Sequence, residues 1–182
     1  MDFHLFKTFK IDELTTNFLN KKYEDYSKSC GLNPADGSIY NSETGHFTQN
    51  LVDWDDTEYQ KFATNELTEI IIHNLKINKD QFSIHYTHFF DYNKGGYVDI
   101  HTHEASEDFV LIFYLNDIKV GGETCFFLNS RKEFKERTFI KIKPTKSLVT
   151  CFSSMVPHSA DWTSEPKRIY VVGIRINLIN MR

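Results

Sequence analysis

Beyond residue 80 the apolar period of this chain shortens, and that change constrains its fold more than any other feature. FSIHYTHFF, YVDIHTHE, DFVLIFYLN, ETCFFL, TFIKIKP, SLVTCFS and RIYVVGIRINL are short β-branched or aromatic runs separated by turn residues. Runs of this kind predict a sandwich or barrel of short strands. Pattern alone leaves immunoglobulin-like, cupin and jelly-roll arrangements open. Sixteen Phe and nine Tyr supply the bulk that packed inner faces of strands require.

The first eighty residues read differently, as a helical front. Asp12 is placed to cap a helix through LTTNFLNKKYEDYSKSC, where Leu14, Phe18, Leu19 and Tyr26 fall near helical spacing. Asp55 or Asp56 opens a second helix, in which Tyr59, Phe62, Leu67, Ile70, Ile71 and Leu75 make an apolar stripe. NPADGS and NSETGH, between the two, are turn-rich and read as loops. No repeat or Pro/Gly/Ser linker divides the 182 residues, so the expectation is a single domain with a helical front at 1–80 and a strand-rich core at 81–182.

Charge and cysteine content narrow the function classes. The net charge of −4 is made of scattered mixed signs, without the basic cluster that general nucleic-acid binding needs. Cys30, Cys125 and Cys151 are odd in number and lack CxxC spacing, which predicts reduced thiols. Charges recur through the first twenty residues and no apolar stretch reaches membrane-spanning length, so a cytoplasmic, non-membrane protein is expected. Oligomeric state is not legible.

Three of the eight histidines stand in the strand-rich half at ligand spacing. Alternation places His101 and His103 of DIHTHE on one face of a strand, with Thr102 and Glu104 opposite. His158, in SMVPHSA, arrives from another strand 57 residues after His101. Imidazole with an oxygen ligand and open positions suits Fe(II) that must also bind substrate and O2. His4, His46, His73, His85 and His88 have no partner at such spacing and read as ordinary polar side chains.

Residues 92–175 resemble the prolyl-4-hydroxylase-like branch of the 2-oxoglutarate/Fe(II) oxygenases. YNKGGYVDIH resembles the family's Gly-rich turn and first iron histidine, FVLIFYLND with GGET and Phe126 its YLN and GGET segment, and KIKPTKSLVTCFSSMVPHSA its proline turn and distal histidine. The resemblance implies a double-stranded β-helix (jelly-roll) core, and Fe(II), 2-oxoglutarate and O2 as cofactor and cosubstrates. It implies hydroxylation of a peptide side chain or small molecule, with release of succinate and CO2. Arg168, ten residues past His158, falls where the family grips the distal carboxylate of 2-oxoglutarate, a bidentate task suited to guanidinium, with Arg175 as a rival. Tyr114 and Tyr92 fall where the family offers tyrosines to the cosubstrate.

The chain departs from the family at one point, because HxH stands where HxD or HxE is usual. His103 can complete a three-histidine set; a bulge can turn Glu104 inward; or the position can stay open and admit halide. The preferred reading is His103. Two other classes compete with the oxygenase reading: a metal-free or zinc-binding jelly-roll that recognises a ligand without turning it over, and a cupin-type dioxygenase with three-histidine iron and no cosubstrate.

Overall fold

The computed structural model describes residues 6–34, 45–103, 107–128 and 139–177. Its centre is a seven-stranded antiparallel sheet facing a four-stranded one, the jelly-roll that the resemblance implies and one of the arrangements the strand pattern left open. In chain order the strands are β1 (Phe6–Lys10), β2 (Asn33–Pro34), β3 (Gly45–Phe47), β4 (Phe82–Tyr92), β5 (Val98–His101), β6 (Phe109–Tyr114), β7 (Thr124–Phe127), β8 (Phe139–Ile142), β9 (Leu148–Ser153), β10 (His158–Ala160) and β11 (Lys167–Ile176). The large sheet runs β1-β9-β6-β11-β4-β3-β2 and the small one β5-β10-β7-β8.

All seven strands expected after residue 80 are present, and β10, which carries His158, joins them. The expected helical front is only partly helical. β1 pairs with β9, and β3 with β4, so this region also supplies strands to the large sheet. Parts of the NPADGS and NSETGH segments lie outside the described residues.

Helix α1 (Glu13–Ser29) starts where Asp12 accepts the Thr15 N–H at 2.7 Å, a side-chain cap that satisfies an otherwise orphaned donor. The same backbone hydrogen bond holds the Asp12 carboxyl below the ordinary carboxylate range. Asp56 caps α2 (Thr57–Phe62) through the Tyr59 N–H and also accepts two 2.8 Å bonds from the buried Lys22 of α1, tying the helices together. The apolar stripe read as one helix continues through a π-helical turn at Ala63–Leu67 into α3 (Thr68–Leu75). No helix among the described residues is long and apolar enough to cross a membrane.

β6 shows how the sequence builds two layers. Phe109, Leu111 and Phe113 pack against Leu19, Phe62 and Ile71 of the helices, whereas Val110, Ile112 and Tyr114 point into the space between the sheets. β11 divides likewise, with Tyr170, Val172 and Ile174 toward the helices and Ile169 and Val171 toward the small sheet. A strand covered on both faces is apolar throughout. The space between the sheets, beside the end of β5 and the start of β10, holds the histidines.

Candidate metal centre

His101 ends β5 and His158 begins β10, and the two are register partners across these antiparallel strands. His103 follows two residues beyond His101, its N–H held by Ser154 O at 3.0 Å, so the extended backbone keeps both side chains on one side. One ligand nitrogen from each of His101, His103 and His158 lies within 4.8 Å of the others. The structure thus brings together the three histidines singled out from spacing. His46, His73, His85 and His88 lie outside this cluster, and His4 lies outside the described residues, as does Glu104.

The outer nitrogens determine where the protons sit. His101 Nδ1 is 2.9 Å from Asp99 O and His158 Nδ1 is 3.0 Å from Val156 O. A carbonyl only accepts, so each Nδ1 carries the hydrogen and each Nε2 is left with a bare lone pair. His103 Nδ1 faces Glu107 Oε1 at 3.0 Å and the Tyr86 hydroxyl at 3.3 Å, and an ionised Glu107, which only accepts, gives His103 the same tautomer. The Nε2 atoms of His103 and His158 therefore meet lone pair to lone pair at 3.3 Å. Such an arrangement is repulsive unless a cation lies between them, and a ring nitrogen hydrogen-bonded on its far side is the usual state of a metal-bound histidine.

A proton is a poor substitute for that cation. Burial and the neighbouring His101 and His103 push His158 down to about 3. Burial and His101 push His103 down to about 4, and burial lowers His101 as well. The three rings are thus neutral near pH 7, the state in which imidazole binds metal. Phe126 and Phe152 flank His158 at centroid distances of 5.9 and 4.6 Å and shield that side of the site.

The pocket beside the histidines has apolar walls, Val110, Ile112 and Val171 among them, and one buried cation, Lys167. Lys167 is 2% exposed; its Nζ donates to Gly122 O at 3.2 Å and lies 4.5 Å from the centroid of the Tyr92 ring. Burial pushes its ammonium down to about 8. Tyr92 lines the same pocket. Tyr114 lies behind it, its hydroxyl donating to Thr124 Oγ1 at 2.8 Å, and burial pushes that phenol up to about 12.

Arg168 is not brought to the pocket. It projects from the opposite face of β11, its guanidinium 3.6 Å from the centroid of the Tyr23 ring, and Nη1 donates to Asn20 Oδ1 at 3.1 Å. Asp91, its register partner on β4, is 3.7 Å from Nε. These contacts fasten α1 to the large sheet. Arg175 is exposed near the far end of β11. Strand parity separates the two in the structure: Ile169 and Val171 share the pocket face with Lys167, and Tyr170 and Val172 the helix face with Arg168.

Neither the protein-family models nor the curated proteins contain a match to this sequence. Solved structures do match. The chain is similar to a Pseudomonas putida prolyl-4-hydroxylase at 17% identity and a TM-score of 0.71, over 96% of this chain and 94% of that one. It is similar to a Trichoplax adhaerens prolyl hydroxylase in complex with a hypoxia inducible factor peptide fragment, at 13% identity and a TM-score of 0.71, covering 94% and 83% of the two chains. A third match is HygX of Streptomyces hygroscopicus with nickel and 2-oxoglutarate bound, at 11% identity and a TM-score of 0.69, covering 97% and 85%. Fold and site together define a jelly-roll protein with a three-histidine cluster that can hold a metal ion.

Proposed function

We propose that this protein is an Fe(II)- and 2-oxoglutarate-dependent oxygenase whose metal ligands are His101, His103 and His158. The observation that carries the reading is the convergence of three neutral imidazoles, their ligand nitrogens within 4.8 Å of one another, beside a pocket into which, among the described residues, one buried ammonium projects. The chemistry of the two ends suits a dicarboxylate, one carboxylate with its neighbouring keto oxygen at the metal and the other at the ammonium. Lys167 takes the distal carboxylate in place of the Arg168 expected from the sequence, with Tyr92 beside it and the apolar walls excluding water from the contact. When bound, the iron supplies the oxidative chemistry that converts 2-oxoglutarate and O2 to succinate and CO2 while one oxygen atom enters the prime substrate.

The residues of the chain bind, orient and exclude water. His101, His103 and His158 would hold the iron through three imidazoles, and a metal so held would have positions open for cosubstrate and O2. Asp99 O, Val156 O and Glu107 fix the ring orientations. The prime substrate is proposed as a peptide side chain or a small molecule; similarity to a prolyl hydroxylase crystallised with a peptide supports the former. Anaerobically reconstituted protein, supplied with 2-oxoglutarate and then air, should release succinate and CO2 in an Fe(II)-dependent manner. Release of neither, despite a loaded metal site, would favour a metal-binding module without turnover.

A further inference from the structure

Glu107 touches the proposed metal site without belonging to the ligand cluster. It stands just before β6, with its side chain 1% exposed, and Oε1 lies 3.0 Å from His103 Nδ1. The same oxygen accepts the Tyr86 hydroxyl at 3.0 Å. Tyr86 and His103 lie ring over ring, 6.4 Å between centroids and 22° between planes. Tyr86 reaches this place because its register partner on β11 is Gly173, where any Cβ would overlap the tyrosine ring.

The three histidines are not held alike. His101 and His158 donate to neutral backbone carbonyls, whereas His103 donates to a carboxylate. Among the described residues, Oε2 of Glu107 has no hydrogen-bond partner. A buried carboxylate satisfied on one oxygen is costly in isolation, and a dication across the imidazole offsets that cost. A carboxylate behind a coordinated imidazole also raises the basicity of the metal-facing nitrogen.

We propose that Glu107 is a positioning residue: it fixes His103 as the Nδ1–H tautomer with Nε2 toward the metal. The inference rests on the proposed three-histidine metal reading.

Two measurements test it. In the metal-free protein, nitrogen-15 correlation spectra of the histidine rings read the tautomer of His103 directly. Anaerobic Fe(II) titration then compares the wild type with Glu107→Gln, which keeps the shape and loses the charge, and with Glu107→Ala. His103 should be wholly Nδ1–H in the wild type and shift toward the other tautomer in Glu107→Ala, with His101 and His158 unmoved. Fe(II) affinity should fall about tenfold in Glu107→Gln and up to about a hundredfold in Glu107→Ala. A purely structural role would leave the tautomer unmoved, so an unchanged His103 spectrum and wild-type affinity in both variants would overturn the inference. Equal Fe(II) affinity in wild type and His101→Ala would instead overturn the metal reading, while the tautomer spectra still report on the Glu107 contact.

Discussion

Lys167 and Arg168 are neighbours on β11 and serve opposite faces of the large sheet. The Lys167 ammonium is buried against the Tyr92 ring in the histidine pocket, and the Arg168 guanidinium lies on the Tyr23 ring beneath α1. One position of strand parity thus separates a pocket cation from a fastening one.

Exchange of the two residues for Ala should separate their roles. Lys167→Ala should weaken 2-oxoglutarate binding about tenfold or more, the loss expected for a buried charge-assisted contact worth roughly 1.5 to 3 kcal/mol. Arg168→Ala should leave that affinity near wild type and lower the unfolding free energy by about 1 to 3 kcal/mol, since it removes a stacked cation and a hydrogen bond. Calorimetric titration and urea melts of both variants check this. A larger cosubstrate loss in Arg168→Ala than in Lys167→Ala would reverse the assignment.

Cosubstrate binding should also depend on pH through Lys167. Its folded-state value of about 8 lies below the ordinary lysine value of 10.5. Between these values the folded chain gives up a proton that the unfolded chain keeps, so the stability of the ligand-free protein should rise with pH from about 8 to 10.5, by ~3 kcal/mol in all. Binding of 2-oxoglutarate, which needs the charged ammonium, should weaken over the same range. The ratio of wild-type to Lys167→Arg affinity, measured from pH 7 to 10, isolates this effect because Arg stays charged throughout. A constant ratio would exclude Lys167 as the titrating group.

Much of the site was legible in the sequence because it depends on local geometry. Alternation puts His101 and His103 on one side wherever the backbone is extended, and His158 follows at a spacing that allows a second strand to reach them. The jelly-roll strands were legible for the same reason, each being a short apolar run between turns. The choice between Lys167 and Arg168 was not, because β11 is covered on both faces: IYVV is apolar in both parities, so nothing in its pattern says which side faces the pocket. Glu107 escaped notice because a lone acid before a strand has no periodic signature. Its contact with His103 depends on Tyr86, which Gly173 admits from another strand. β1 was missed because its five residues, FKTFK, mix charge with aromatics as an edge strand does.

Gly173→Ala tests that long-range dependence. The added methyl would enter the Tyr86 ring, and relief of the overlap should cost about 1 to 3 kcal/mol of stability and displace the hydroxyl from Glu107. Thermal melts and anaerobic Fe(II) titration should both show a loss. Wild-type stability with wild-type affinity would mean that Tyr86 has another place to go.

The third ligand is the central claim, and one spectroscopic titration tests it. Fe(II) chelated through both donor groups of a 2-oxoacid gives a visible charge-transfer absorption. Under anaerobic conditions the wild type should develop this absorption on addition of Fe(II) and 2-oxoglutarate, saturating at one iron per chain, and Glu104→Ala should do the same. His103→Ala should not develop it at comparable concentrations. The account would be contradicted by an absorption that survives in His103→Ala and disappears in Glu104→Ala, which would make the carboxylate, not the imidazole, the third ligand.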